Sequence, residues 1–425
     1  MKNLLIGLLL CTSLFGLNAQ TTYLHCGKLI DATSKEVKIA QTIVVEGNKI
    51  TQVAPGYLDV PAGAKGINLK DKTVMPGLID MHVHIESQSS PKRYEEGFRM
   101  NKADVALRAT IYTKKTLMAG FTAVRDLGGS GVNVSLRNSI NAGYIAGPRI
   151  YTAEKAIGTT GGHADPTNGI RDDLKGDPGP KEGVINSPDD AKKAVRQRYK
   201  NGADVIKITA TGGVLSVAKD GAGPQFTEAE VAAIVATAKD YGMVTAAHAH
   251  GAEGMKRAVK AGITTIEHGT LMTEEVMELM IEMGTYLVPT ISAGETVMKL
   301  AKQPGYFPAV IVPKALAVGP KSKSTFKKAY EKGVKIAFGT DAGVFPHGEN
   351  AQEFVHMTDV GMPAINAILS ATQVAAEALN ELDRIGTIEV GKMADIIATD
   401  DNPVDNIKTM LEVSFVMKNG MIYKQ

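Results

Sequence analysis

Thr227-Glu228-Ala229-Glu230-Val231-Ala232-Ala233-Ile234-Val235-Ala236-Thr237-Ala238-Lys239-Asp240-Tyr241-Gly242-Met243-Val244-Thr245-Ala246-Ala247-His248 reads as one helix, one stop and one strand. Thr227 and Glu230 make a capping box, the hydroxyl and the carboxylate each taking an orphan N–H of the first turn. Val231, Ile234, Val235 and Ala238 follow at i, i+3, i+4 and i+7, a single apolar face. Gly242 suits the left-handed residue that closes a helix. The run after it is short and apolar and ends in His248. Twenty residues on, Gly262 opens Ile263-Thr264-Thr265-Ile266-Glu267-His268 in the same way.

The unit repeats outward in both directions. Gly120 precedes Phe121-Thr122-Ala123-Val124-Arg125-Asp126, and Gly147-Pro148 precedes Arg149-Ile150-Tyr151-Thr152. Gly202 precedes Asp204-Val205-Ile206-Lys207-Ile208, Gly284 precedes Thr285-Tyr286-Leu287-Val288-Pro289, and Gly333 precedes Val334-Lys335-Ile336-Ala337-Phe338-Gly339. With Val74 to His84 that makes eight strands. Ser187-Pro188 is an N-cap with Pro at the first helical position. Thr273 opens a helix with Val276, Met280 and Met283 on one face, methionines read as core filling. Strands alternating with helices imply a parallel sheet, and eight of them favour a closed (β/α)₈ barrel over an open doubly wound sheet. The expected fold class is α/β, with the barrel over 74–390. The segments 20–73 and 391–425 are rich in short β runs and should pair as a small discontinuous β-sandwich formed by both chain ends.

The chain has 425 residues, 44% hydrophobic and 22% charged, the profile of an ordinary globular protein. A formal charge of +2 without a basic run argues against nucleic acid as a partner. Aromatic residues are 5% and Trp is absent, which argues against a base-stacking platform as well. A small molecule is the expected partner, and the sequence leaves the oligomeric state open, a homo-oligomer included. Residues 1–19 read as a signal peptide: Lys2, the apolar Leu4 to Leu10, then Leu17-Asn18-Ala19, with cleavage after Ala19. Leu10 before Cys11 is not the small residue that a lipoprotein signal needs. The expected location is therefore secreted or periplasmic, with no membrane insertion after signal removal. Cys26 then remains alone and forms no intrachain disulfide.

Five of the strands end in metal-ligand types: His82 and His84, Lys207, His248, His268 and Asp341. Residues two apart on a strand point the same way, so both imidazoles of His82-Val83-His84 reach one ion. Sites in such barrels lie at the C-terminal strand ends, where these side chains converge. Lys207 sits in an apolar run, where a lone ammonium is costly. Either a nearby carboxylate pairs with it, or burial and metal ions depress its pKa so that the neutral amine takes up CO₂. The resulting carbamate is a bidentate bridge between two ions. The polar loop Gly158-Thr159-Thr160-Gly161-Gly162-His163-Ala164-Asp165-Pro166 follows strand three and is placed to form part of the pocket. His250 lies two residues beyond His248 and faces the same way. Arg125 either binds a substrate carboxylate or holds Asp126 or a loop.

Pro76-Gly77-Leu78-Ile79-Asp80-Met81-His82-Val83-His84, Asp204-Val205-Ile206-Lys207-Ile208, His248-Ala249-His250, Ile266-Glu267-His268-Gly269, Gly339-Thr340-Asp341-Ala342 and Gly391-Lys392-Met393-Ala394-Asp395-Ile396 together resemble the amidohydrolase superfamily. More narrowly, the chain resembles its imidazolonepropionase-related and Xaa-Pro dipeptidase-like branch. The resemblance implies that His82, His84 and Asp341 hold one ion and His248 and His268 a second. Carboxylated Lys207 and a hydroxide would bridge them. It also implies that His163 and His250 contact substrate, so His163 stands with Asp341 as a candidate catalytic group. Imidazolonepropionases and cytosine-type deaminases lack the bridging lysine, and that departure points away from deamination. The implied cofactors are two divalent ions, with zinc the best match to imidazole and carboxylate ligands. The implied reaction is hydrolysis of amide bonds in dipeptides or N-acyl amino acids with a free carboxylate. Another amide such as ochratoxin, a lactone or a phosphoester is the alternative.

Overall fold

Alternating apolar residues draw the first described segment into a sheet: β1 (Thr21–Leu29) buries Leu24, Cys26 and Leu29 on one side. β2 (Lys38–Glu46), β3 (Lys49–Pro55) and β4 (Lys65–Pro76) follow. The computed structural model describes residues 20–219 and 221–425; the leader expected over 1–19 and its cleavage site lie outside the described residues.

Beyond β4 the chain alternates between strands and helices. The parallel strands are β5 (Leu78–Val83), β6 (Phe121–Asp126) and β7 (Arg149–Thr152), hydrogen-bonded in that order. A small pair, β8 (Gly158–Thr159) and β9 (Val184–Ile185), ties the loop after β7 to the segment before the next helix. Then come β10 (Ile206–Thr209), β11 (Thr245–Gly251), β12 (Thr265–Leu271) and β13 (Tyr286–Val288), a second parallel sheet. Parallel bridges link Ile157 to Ile208, Leu287 to Ile336 and Val83 to Ala342, carrying backbone contact between the two sheets and through the eighth run to β5.

That eighth run, expected as a strand from Val334 to Gly339, makes single bridges rather than a ladder. It still donates Ala337 N–H to Leu287 O at 3.0 Å and receives Met81 N–H at Phe338 O at 2.9 Å. The left-handed φ of +61° at Asp341 breaks the extended path just where a ladder would continue.

The helices follow their sequence signals. Thr227 and Glu230 form the capping box, and Val231, Ile234 and Ala238 are buried. Ser187 caps the helix Pro188–Lys200 through Asp190 N–H at 3.1 Å. In the helix Glu274–Met283, Val276 and Met280 are buried as expected, but Met283 is 46% exposed. It is the last helical residue before Gly284, where the chain turns away from the packed face. Among the described residues no helix is long and apolar enough to cross a membrane.

The tail returns as β14 (Ile396–Thr399), β15 (Phe415–Lys418) and β16 (Met421–Lys424). The ends share one hydrogen-bonded ladder of seven strands in the order β16-β15-β14-β4-β1-β2-β3. The twelve-residue β4 is long enough to be shared: Thr22 to Leu29 pair along it, and its last four residues take β14. Leu24, Ile43 and Ile67 from one half pack in the same cluster as Ile396, Phe415 and Met417 from the other, so the sheet encloses a core of its own. Arg149, at the N-terminal end of β7, meets Asp395 at 2.6 Å, and the Lys418 ammonium donates to Gly147 O at 2.7 Å. The small sheet therefore grips the strands at the end opposite to their C-terminal residues.

Candidate metal centre

The strand ends supply the reactive groups because each strand exits into the same space. One cavity of about 740 Å³ is lined by His82, His84, His163, Lys207, His248, His250, His268 and Asp341. Ligand atoms of His82, His268 and Asp341 all lie within 4.8 Å of one another. Asp341 Oδ1 stands 3.6 Å from His82 Nε2 and 3.4 Å from His84 Nε2. The rings of His82 and His268 are 5.0 Å apart, those of His248 and His268 4.6 Å, and those of His163 and His248 4.4 Å.

One ring nitrogen of each of His82, His84, His248 and His268 is engaged. His82 Nδ1 faces Glu267 Oε2 at 2.9 Å, His84 Nδ1 faces Gly128 O at 2.8 Å, and His268 Nδ1 faces Thr290 Oγ1 at 2.7 Å. An Nδ1–H donated outward leaves the Nε2 lone pair facing the cavity. His248 is turned the other way, with Nε2 3.2 Å from Gly212 O, which leaves Nδ1 as its lone-pair atom. Burial and neighbouring cations hold His82, His248 and His268 well below the ordinary imidazole range, and burial brings His84 down to about 4. These are neutral rings with free lone pairs at neutral pH.

The anionic and lysine groups complete the test of fit. Asp341 Oδ1 is buried without a hydrogen-bond partner, although it faces two imidazole nitrogens. Burial pushes the Asp341 carboxyl up against the pull of Lys207, and burial pushes the Lys207 ammonium down against the pull of Glu267 and Asp341. An orphaned carboxylate oxygen among imidazole lone pairs fits a divalent cation, whose charge would return Asp341 to its ionised form. His268, Thr290 and Asp341 adopt φ of +71°, +50° and +61°, strained values for residues other than glycine. Such strain persists where the surroundings over-determine a functional geometry.

Arg125 does not reach this cavity. It is fully buried and donates Nε–H to Met81 O at 2.7 Å, Nη1–H to Thr265 Oγ1 at 3.0 Å and Nη2–H to Glu267 Oε1 at 2.8 Å. The expectation that it binds a substrate carboxylate is corrected: it neutralises Glu267, which in turn orients His82. Glu267 and Asp80 are the supporting residues that sequence reasoning missed. Asp80 accepts Thr340 Oγ1–H at 2.6 Å, Asn350 Nδ2–H at 2.8 Å and His82 N–H at 3.1 Å, tying β5 to the run that carries Asp341. The available signal was a carboxylate two residues before His82 and another beside His268, each inside an apolar strand.

His163 and His250 are in the cavity as expected. His250 Nδ1 pairs with Thr270 Oγ1 at 3.0 Å, and burial lowers its pKa to about 4. His163 is lowered to about 3, again by burial, and its Nδ1 is buried without a partner. Its ring lies flat against Gly213, where an added Cβ would come within 2.2 Å of Cε1, so only glycine fits there. Arg93, Lys102 and Lys155 bring positive charge to the rest of the lining, against the carboxylate of Glu182 among the described residues.

The amidohydrolase family model matches residues 73–423. The chain is 30% identical to the ochratoxinase of Aspergillus niger over 428 aligned residues, covering 96% of this chain and 87% of that one. A crystal structure of a Xaa-Pro dipeptidase with methionine bound in its active site is 53% identical, with a TM-score of 0.93 over 96% of this chain and all of that one. A prolidase complexed with N-methylphosphonate-L-proline is 31% identical with a TM-score of 0.86, over 96% of this chain and all of that one. On the matched length and the gathered strand-end groups together, the chain belongs to the amidohydrolase family and is a hydrolase of its Xaa-Pro dipeptidase-like branch.

Proposed function

We propose that this protein is a binuclear metal-dependent hydrolase of amide bonds in small molecules, acting on dipeptides or N-acyl amino acids with a free carboxylate. The observation that carries the reading is the meeting of His82, His84, Lys207, His248, His268 and Asp341 around one cavity. In this reading His82, His84 and Asp341 would hold one ion, and His248 and His268 the other. Lys207 would help to hold both as a carbamate: its neutral Nζ adds to the carbon of CO₂, an N–C bond forms as one C=O π bond opens onto oxygen, and an N–H proton leaves to solvent. Two divalent ions, with zinc the best match to these donors, would supply an activated water and a polarised substrate carbonyl. The Asp341 carboxylate would take up a proton and pass it to the leaving amine nitrogen. His163 and His250, both neutral, donate hydrogen bonds that hold the substrate. The Arg125–Glu267 pair keeps the His82 ring in register. The positive lining from Arg93, Lys102 and Lys155 favours a substrate that carries a carboxylate.

The same reading takes 74–390 as a closed (β/α)₈ barrel, supported by the parallel bridges between the two sheets and back to β5. It takes 20–73 and 391–425 as one small β domain, and residues 1–19 as a signal peptide that directs the chain to the periplasm or outside the cell. The ochratoxinase relative favours a second reading, in which the amide belongs to a toxin of that type.

The test is elemental analysis joined to a substrate panel. Active protein should approach two divalent ions per chain and lose activity reversibly on chelation. Xaa-Pro and other dipeptides, N-acyl amino acids and ochratoxin-type amides should be cleaved ahead of lactones and phosphotriesters. Full activity with one tightly bound ion would refute the binuclear centre, and cleavage of esters alone would refute the amide reading.

A further inference from the structure

One wall of the cavity takes no part in the chemistry just described. Val214 follows β10, Ala293 and Val297 lie on the helix Ile291–Ala301, Ala315 and Val318 on the helix Ile311–Val318, and Val344 lies just beyond Asp341. These six belong to a buried cluster of eight separate from the main core, and all six line the cavity. Water beside such a wall makes few hydrogen bonds, so its displacement by an apolar group is favourable.

The wall is built as a recess. Gly319, just past the second helix, lies against the first: an added Cβ would stand 3.1 Å from Met298 Cβ and 3.4 Å from Gly294 O. The close backbones bring Ala293 and Ala315 to one side, and the cavity runs along their short side chains as a hollow. Lys314 fixes the remaining side. Its ammonium donates to Gly213 O at 3.0 Å, Ser216 O at 2.6 Å and Ala218 O at 2.8 Å, three charge-assisted bonds that hold the loop after β10 across the hollow. The recess adjoins the reactive end, since Thr290 of the His268 hydrogen bond lies three residues before Ala293, and Asp341 three before Val344.

We propose that this recess is the subsite for an apolar side chain, carried by the residue that adjoins the scissile amide. The inference rests on the amide-hydrolase reading above and narrows it to substrates with aliphatic or thioether side chains. A preorganised hollow loses little freedom on filling, so most of the transfer free energy appears as selectivity.

The experiment compares matched dipeptides and N-acyl amino acids that differ only in Gly against Leu or Met, on either side of the amide. In the metal-loaded wild type the larger side chain should be preferred about 10- to 150-fold in kcat/KM at one of the two positions, the range for burying such a side chain. Val297→Phe fills the hollow, and Val297→Thr keeps its shape while adding a hydroxyl. In both variants that ratio should fall to a few-fold. The ratio is read within each protein, so a loss of folded material cancels from it. Calorimetric binding of L-leucine against glycine gives a second readout that needs no turnover. A wild type without preference at either position, or variants that keep the wild-type ratio, would overturn the proposal. A protein that binds leucine over glycine and cleaves none of the amides would defeat the functional reading and uphold the recess.

Discussion

Glu267→Gln tests how the fold supports the metal centre, because one carboxylate serves two partners with different jobs. Its Oε1 accepts from Arg125 Nη2 at 2.8 Å and from the Thr265 hydroxyl, and its Oε2 faces His82 Nδ1 at 2.9 Å. Both Arg125 and Glu267 are wholly shielded from solvent. Glutamine keeps the shape but leaves the Arg125 charge buried without an anion, a change that typically costs about 3–5 kcal/mol. It also removes the carboxylate that orients a ligating imidazole, worth about 10- to 100-fold in metal affinity. The two effects separate in Arg125→Met/Glu267→Gln, where the stranded charge is gone but His82 still lacks its carboxylate. The urea midpoint of the metal-free protein should fall in the single variant and largely recover in the double. Zinc affinity, read by competition with a chelator, should stay low in both. A single variant within about 1 kcal/mol of wild type, well short of the cost of a stranded charge, would refute the reasoning. So would a double variant that restores stability and affinity together.

Asp341→Asn keeps an oxygen ligand but cannot take a proton, so kcat should fall about 10²–10⁴-fold. Metal content should fall less than in His82→Ala, and near-normal kcat with both ions retained would exclude the shuttle role. Lys207→Ala should lose both metal and activity, with partial recovery on adding a short carboxylic acid; a fully metallated, active Lys207→Ala protein would end the carbamate proposal. His347 is buried against Ser87 O, and burial lowers its pKa from the ordinary 6.5 to about 4. The unfolded chain therefore takes up this proton before the folded one does, so the stability that depends on a neutral His347 is present above 6.5 and lost as pH falls toward 4. Between pH 7 and pH 5 the metal-free wild type should lose about 2 kcal/mol more than His347→Gln, and equal losses by urea titration would contradict this. N-terminal sequencing of exported protein should begin at Gln20, and an intact Met1 would contradict secretion by cleavage.

The recurring helix–glycine–strand unit was legible because its signals are local. A cap at Thr227, an apolar face from Val231 to Ala238 and a left-handed Gly242 each act within one or two turns, and the structure carries all three. The site histidines were legible for a related reason: once His248 and His268 are strand ends of one parallel sheet, topology brings them together without any knowledge of side-chain rotamers. What Arg125 does was not legible. Strand alternation makes it inward-facing, but whether it meets substrate or a buried acid depends on Glu267, 142 residues away and on a strand that is not its neighbour in the ladder. The single seven-stranded ladder has the same character, since β4 accepts β14 from more than 300 residues later and no local periodicity encodes that pairing. The Lys314 clamp on the loop after β10 is of this kind too, since its carbonyl partners lie about 100 residues earlier in the chain. Short-range steric and hydrogen-bonding preferences determined the elements and their order. Long-range pairing of buried charges and backbone carbonyls, which exists only once the chain has closed on itself, decided which residues line the cavity and which lie behind it holding it in place.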